Sequence, residues 1–256
     1  MNLAKRSFTF EESHISIIQL ITKFGGQPVW LNKTEATWPL SPETGKKMLF
    51  MGQIALEEAI FPNSKEAIAY LFFADEVELL YNEAVAIVIQ TKEAVYKTVN
   101  YDRVDTPLEY VSAATGEGVY ELDEDQQKLP AKDYNVLLCD LEIETATPLN
   151  ERWDCWNDLD LDTGYNFSKP ELAGNKIGGQ AIYVENVEAP LCYESEDWHL
   201  LLQLAPKEGY WDLSLQDKEI YQPNFYPFFM QMYPFSIVSI FISKDYTQTK
   251  CYIQNP

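Results

Sequence analysis

Apolar positions come along this chain in short runs rather than in long helical stripes. Segments 29–31, 48–54, 67–73, 84–90, 134–143, 182–184, 198–204, 235–242 and 251–253 are rich in β-branched and aromatic residues. Most are bounded by turn-forming or polar residues, which predicts a strand at each. Residues 15–21 carry the same signal, but Ile15, Ile18 and Ile21 also fall at helical spacing behind Ser13 as a cap, so strand and short helix both stay open there. No other segment keeps a helical period over the roughly ten residues that a helix needs. The charged, amide-rich stretch 121–130 predicts an exposed loop, and the polar stretch 151–170 predicts a boundary.

The runs are not independent of one another. Lys23-Phe24-Gly25-Gly26-Gln27-Pro28-Val29-Trp30-Leu31 returns 153 residues later as Lys176-Ile177-Gly178-Gly179-Gln180-Ala181-Ile182-Tyr183-Val184. Further on, the run 48–55 with its lone Gln53 is echoed by the run 198–205 with its lone Gln203. Repetition of a supersecondary unit predicts two similar halves. The expected fold is therefore α+β, mainly antiparallel β, an internal duplication with a pseudo-twofold arrangement. Residues 1–150 form the first half, 151–170 an acidic connector and 171–256 the second half, all in one compact unit.

A Gly-Gly pair directly before an apolar strand suits a backbone that takes positive φ or approaches another chain closely. Phosphate cradling is disfavoured, because neither copy continues as GxxxxGK[ST] and Glu121 stands where a dinucleotide fingerprint needs glycine after Gly116 and Gly118. Gln53 and Gln203, each inside an apolar run, must have their amides satisfied. Neighbouring backbone is the favoured partner, and a ligand between the halves is the alternative. On that alternative Gln53, Gln203 and the aromatic pair Trp30 and Tyr183 are the candidate binding residues.

Charge changes the picture of possible partners. Forty acidic against nineteen basic side chains give a net charge of -21 over 256 residues. Such a field repels nucleic-acid phosphates and anionic lipid surfaces. The stretch 121–171 alone holds fourteen acids and four bases, which suits a solvated face or a surface for a basic polypeptide. Four cysteines without a CxxC pairing suggest a reducing compartment, the cytoplasm. Lys5 and Arg6 are followed by Glu11-Glu12 rather than by a signal-peptide apolar region, and the aliphatic run 84–89 is too short to span a bilayer.

The motifs carry a resemblance. Lys23 to Trp30, Trp38-Pro39, Gly45-Lys46-Lys47-Met48 and Phe50 to Ile54, with Lys176-Ile177-Gly178-Gly179 and 200–203, resemble the YwqG-like family of bacterial proteins of unknown function. That family is similar in turn to the carboxy-terminal domain of the programmed-cell-death-two proteins, which escort a basic ribosomal protein. The resemblance implies a protein-binding role. Ser41 and Thr44 stand where some relatives carry cysteines, so it implies no zinc site here. Trp211 is followed directly by Asp212, so the second repeat's Trp-Gly-Asp turn is incomplete.

Catalytic signatures are scarce. With His14 and His199 as the whole histidine complement, a three-histidine metal site is impossible, and neither HExxH nor GxSxG occurs. Cys155 sits between Asp154 and Trp156, surroundings that raise a thiol pKa. Asp158, Asp160 and Asp162 alternate as calcium ligands do and are candidate binding residues. The glycine comes one place late, however, and Lys169 occupies the twelfth position. The aromatic, proline-cut segment 221–235 reads as an irregular plug over the core, with an aromatic patch exposed to a partner as the alternative. No cofactor is expected. The function expected is a cytoplasmic, non-enzymatic module that binds a basic polypeptide. The alternatives are a toxin-immunity inhibitor, or an enzyme or small-ligand binder using the cleft between halves.

Overall fold

The computed structural model describes residues 2–74, 85–100, 108–146, 172–182, 198–205, 226–230 and 236–254. The expectation of an α+β fold is overturned: the protein is almost entirely β, with one curled antiparallel sheet, and no α-helix occurs among the described residues. A three-residue 3-10 turn, Lys33–Glu35, capped by the Asn32 side chain, is the named helical element. The physical reason lies in the apolar runs, which are continuous over six or seven residues and are covered on both faces.

Four adjacent strands make the first half of the sheet: β2 (Lys23–Phe24), β4 (Leu49–Ala55), β5 (Ile68–Phe73) and β6 (Val85–Gln90). Four more make the second: β14 (Lys176–Gly178), β15 (Trp198–Leu204), β16 (Ile237–Ser243) and β17 (Gln248–Gln254). Between β2 and β14 lie β12 (Asp133–Leu138) and β1 (Asn2–Ser13). The order is thus β6-β5-β4-β2-β12-β1-β14-β15-β16-β17. Beyond β6 comes β7 (Val95–Lys97), and beyond β17 comes β8 (Val99–Asn100), paired in parallel. The two ends of the sheet are therefore one stretch of chain broken at Thr98, whose N–H and hydroxyl both donate to the Ile87 carbonyl.

One side of the first half packs Leu49, Met51, Leu71, Phe73, Ile87 and Ile89 into a core shared with Leu202, Leu204, Val238 and Ile240. The other side packs Phe50, Tyr70, Phe72 and Val88 under Trp30 and Trp38. A small ladder of β3 (Thr37–Pro39) with β9 (Tyr110–Ser112) brings Trp38 onto that side, where its indole N–H donates to the Met48 carbonyl at 2.6 Å. Of the aromatic segment 221–235, residues 226–230 are described, and Tyr226, Phe228 and Met230 lie in the shared core. Phe228 stacks on Phe24 at 5.9 Å, edge-on to Phe10.

Four local expectations differ from what is found. Residues 15–21 form neither strand nor helix but an irregular connection from β1 to β2. Residues 29–31 are not a strand either. The expected loop 121–130 is a hairpin of β10 (Tyr120–Leu122) and β11 (Lys128–Pro130), its turn closed by Asp123, whose carboxylate accepts from the Asp125 and Gln127 N–H groups. The single run 134–143 breaks at residues 139–141 into β12 and β13 (Glu142–Thr145), both pairing with β1. The connector 151–170 lies outside the described residues.

Candidate functional site

The repeated residues meet in the same way in both halves. Lys23 of β2 lies opposite Gln53 of β4, and Lys176 of β14 lies opposite Gln203 of β15. Gln53 Oε1 accepts from the Val29 N–H at 2.8 Å, and its Nε2 donates to the Ile21 carbonyl at 2.9 Å. Gln203 Oε1 accepts from the Ile182 N–H at 2.9 Å, and its Nε2 donates to the Leu172 and Gly174 carbonyls, each at 2.9 Å. Measured from the motif lysine, Val29 and Ile182 hold one position and Ile21 and Gly174 another. Two residues past each glutamine, the Ala55 N–H donates to Thr22 Oγ1 and the Ala205 N–H to Asn175 Oδ1. The ladder slips once in each strand, between Phe50 and Gly52 and between Leu200 and Leu202.

These bonds explain why residues 29–31 carry a strand-like composition without being a strand. Residues 29–32 cross the sheet, and side chains of three successive strands satisfy their backbone. After Gln53 of β4 comes Tyr70 of β5, whose hydroxyl accepts from the Leu31 N–H at 2.7 Å and donates to the Val29 carbonyl at 2.9 Å. Then Gln90 of β6 accepts from the Asn32 N–H at 2.9 Å and donates to the Asn32 carbonyl at 3.1 Å. Burial pushes the Tyr70 phenol well above its ordinary value, so it stays protonated and can play both roles. In the second half Gln254 of β17 donates to the Ile182 carbonyl at 3.3 Å. Ser239 of β16 stands where Tyr70 stands, opposite the glutamine, and its buried Oγ has no hydrogen-bond partner among the described residues.

The Gly-Gly pairs allow close approach of the central strands. A Cβ at Gly25 would lie 2.0 Å from the Lys132 carbonyl oxygen, and one at Gly178 would lie 2.4 Å from that of Ala4. Both residues have positive φ, 69° and 75°. The following glycines each face a carboxylate: a Cβ at Gly26 would meet Asp133, and one at Gly179 would meet Glu144. Asp133 takes the Lys23 ammonium on one oxygen and the Ile17 N–H on the other at 3.3 Å. Burial lowers the Lys23 pKa against the opposing pull of that carboxylate. In the second half Lys176 donates to the Leu172 carbonyl at 2.8 Å, and Glu144 accepts from the Gln180 N–H at 2.6 Å and pairs with Lys5 at 2.9 Å.

A family model described as a domain of unknown function, DUF1963, matches residues 22–218. The chain belongs to the DUF1963 family. The matched span of the DUF1963 chain starts one residue before Lys23 and runs past Gln203, so both glutamine sites fall inside it while β1 and residues 15–21 fall before it. No curated protein matches the chain.

The candidate binding residues thus lie as follows in this DUF1963 protein. Gln53 and Gln203 are fully buried and engaged with their own backbone. Four strands separate β4 from β15 along the sheet, so the order of strands does not make them neighbours. Trp30 is buried, its indole N–H donates to the Ala114 carbonyl at 2.7 Å, and its ring lies 4.3 Å from that of Tyr70. Tyr183, Asp158, Asp160, Asp162 and Cys155 lie outside the described residues. Ser41 closes the turn 41–45, its hydroxyl accepting from the Glu43 and Thr44 N–H groups. His199 faces Phe61, and burial together with nearby Lys244 lowers its pKa. Burial pushes the Cys251 thiol up to about 12. Among the described residues no group of three or more His, Cys, Asp or Glu side chains could hold a metal ion. No described helix is long and apolar enough to cross a membrane.

The sequence reading missed Lys23, Lys176, Asp133, Tyr70 and Gln90 as working parts. A lysine two residues before Gly-Gly in both copies was the available signal for the first two. Asp133 and Tyr70 have no repeated counterpart to mark them.

Proposed function

We propose that this DUF1963 protein is a YwqG-like, non-enzymatic interaction module of the bacterial cytoplasm that binds a basic polypeptide through its acidic surface. The observation that carries the reading is where the repeated polar residues go. Gln53, Gln203 and the Gly-Gly pairs are engaged with the protein's own backbone and carboxylates, so they serve the scaffold. Recognition is then left to the surface, whose net charge is -21. Glu124, Asp125 and Asp140 are exposed members of the acid-rich stretch. The likeness to the programmed-cell-death-two carboxy-terminal domain supports the same reading by analogy. The matching contacts of the two glutamines support descent of the halves from one repeated unit.

The test is affinity capture from the native host, followed by binding measurements on each purified basic candidate. Reversal at Glu124→Lys, Asp125→Lys and Asp140→Lys is expected to weaken binding at least tenfold at low salt and to flatten its salt dependence. Unchanged affinity would overturn the electrostatic reading.

A further inference from the structure

Residues 15–21 present an unusual surface for a connection between strands. Ile15 is 78% exposed, Ile18 76%, Ile21 43% and Leu20 42%, while Ile17 alone of the five aliphatic side chains is buried. Scattered exposed aliphatics are ordinary, but four within seven residues form a patch. The loop carrying them is held in place. Ser13 Oγ donates to the Ile15 carbonyl at 2.7 Å, the Ile17 N–H donates to Asp133, and the Ile21 carbonyl accepts from Gln53.

The second half shows that the scaffold does not require these side chains. Counting back from the motif lysine, Ile15, Ile18, Leu20 and Ile21 correspond to Ser168, Glu171, Ala173 and Gly174. Gln203 nevertheless makes with Gly174 the bond that Gln53 makes with Ile21, through backbone alone. The aliphatic side chains of the first loop are therefore surplus to the contact that both halves share.

Charge selects the occupant. Between Ser7 and Thr22 there is no lysine or arginine, and Glu11 and Glu12 lead into the loop on β1, Glu12 being paired with Lys132 at 2.8 Å. At a net charge of -21, a second copy of the chain and an anionic bilayer are both repelled. We propose that the loop of residues 15–21 is the apolar seat of the partner-binding surface, and that it takes a basic polypeptide segment carrying aliphatic side chains. This rests on the interaction-module reading above. Aliphatic burial supplies the short-range affinity, and the net negative field of the chain supplies the steering.

The probe is a fluorescein-labelled peptide of alternating lysine and leucine, compared by anisotropy with one of alternating lysine and serine. The leucine peptide is expected to bind the wild-type chain about tenfold more tightly. Ile15→Ser with Ile18→Ser should abolish that advantage while shifting the unfolding midpoint by under about 2 °C, since both side chains are exposed. Ile18→Glu, the second half's residue, gives opposite signs. It weakens the leucine peptide if the seat is apolar and tightens it if charge alone binds, so tighter or unchanged binding overturns the proposal.

Loss of the leucine advantage from the wild-type chain, with the serine peptide still bound, sinks this inference alone. Failure of both peptides sinks the interaction-module reading with it. Sedimentation of the chain alone and flotation with vesicles of phosphatidylcholine, with and without phosphatidylglycerol, cover the other occupants. Self-association or vesicle binding that disappears in the double serine variant overturns the proposal.

Discussion

In the first half of the sheet, three side chains on neighbouring strands, Gln53, Tyr70 and Gln90, take up the backbone of the segment that crosses them. In the second half, Gln203 and Gln254 do the same for Ile182, but Ser239 replaces the tyrosine between them and its hydroxyl bonds nothing among the described residues. The frame is common, while its fittings differ. The lysines differ in the same manner: Lys23 faces a carboxylate and Lys176 a carbonyl. What stays the same between the halves is glutamine, glycine and register, the parts whose geometry admits no substitute. What changes is whichever group fills space or balances charge.

That comparison can be broken most forcefully at the lysines. Asp133→Ala leaves the buried Lys23 ammonium without its carboxylate and should cost about 4 kcal/mol in urea unfolding. Glycine is the next test, because Gly25→Ala and Gly178→Ala each drive a methyl into a neighbouring carbonyl at positive φ. Each should lose about 3 kcal/mol, and a small loss at Gly178 with a large one at Gly25 would end the equivalence of the two turns. Tyr70→Phe orphans the Leu31 N–H and the Val29 carbonyl and should cost about 2 kcal/mol, whereas Ser239→Ala should be within about 0.5 kcal/mol of neutral. Equal losses at those two positions would mean that the serine has a role equal to the tyrosine's.

The smallest expected effect is a pH dependence. Because the folded state lowers the His199 pKa, the unfolded chain binds that proton first as pH falls through about 6.5. Stability is then lost on the acid side and is unaffected above it. His199→Gln should lessen the loss of stability between pH 7 and 5 relative to the wild-type chain, and parallel profiles would reject the assignment.

How much of this was legible in the sequence depends on where each backbone group finds its partner. The strands at Leu49–Ala55, Ile68–Phe73, Val85–Gln90 and Trp198–Leu204 were visible because both faces are largely buried and the run is mostly apolar, Gln53 and Gln203 excepted. The longest strand, Asn2–Ser13, was missed, since Lys5 and Arg6 mark it as polar. Only the fold supplies Glu142 and Glu144 for the one and Glu57 for the other. Residues 15–21 and 29–31 misled in the opposite direction. Their composition is that of strands, but Asp133, Gln53, Tyr70 and Gln90 take the bonds that a neighbouring strand would have taken. The glutamines could be singled out from the repeated motif, whereas their enclosure needed knowledge of the chain's path.

The place of β1 carries a consequence for the order of events during synthesis. Its strand neighbours, at Asp133–Leu138 and Lys176–Gly178, are made long after it, so a growing chain holds β1 without a ladder until about half the protein has been made, its Phe8 and Phe10 having at first only each other and Phe24 to pack on. The two flanking groups of strands can each close early by local hairpins; β1 and β12 then join them along one seam, while β8 on β17 joins them along the other. A chain shorn of residues 2–13 would be expected to keep the seam at β8 and to leave the other one open.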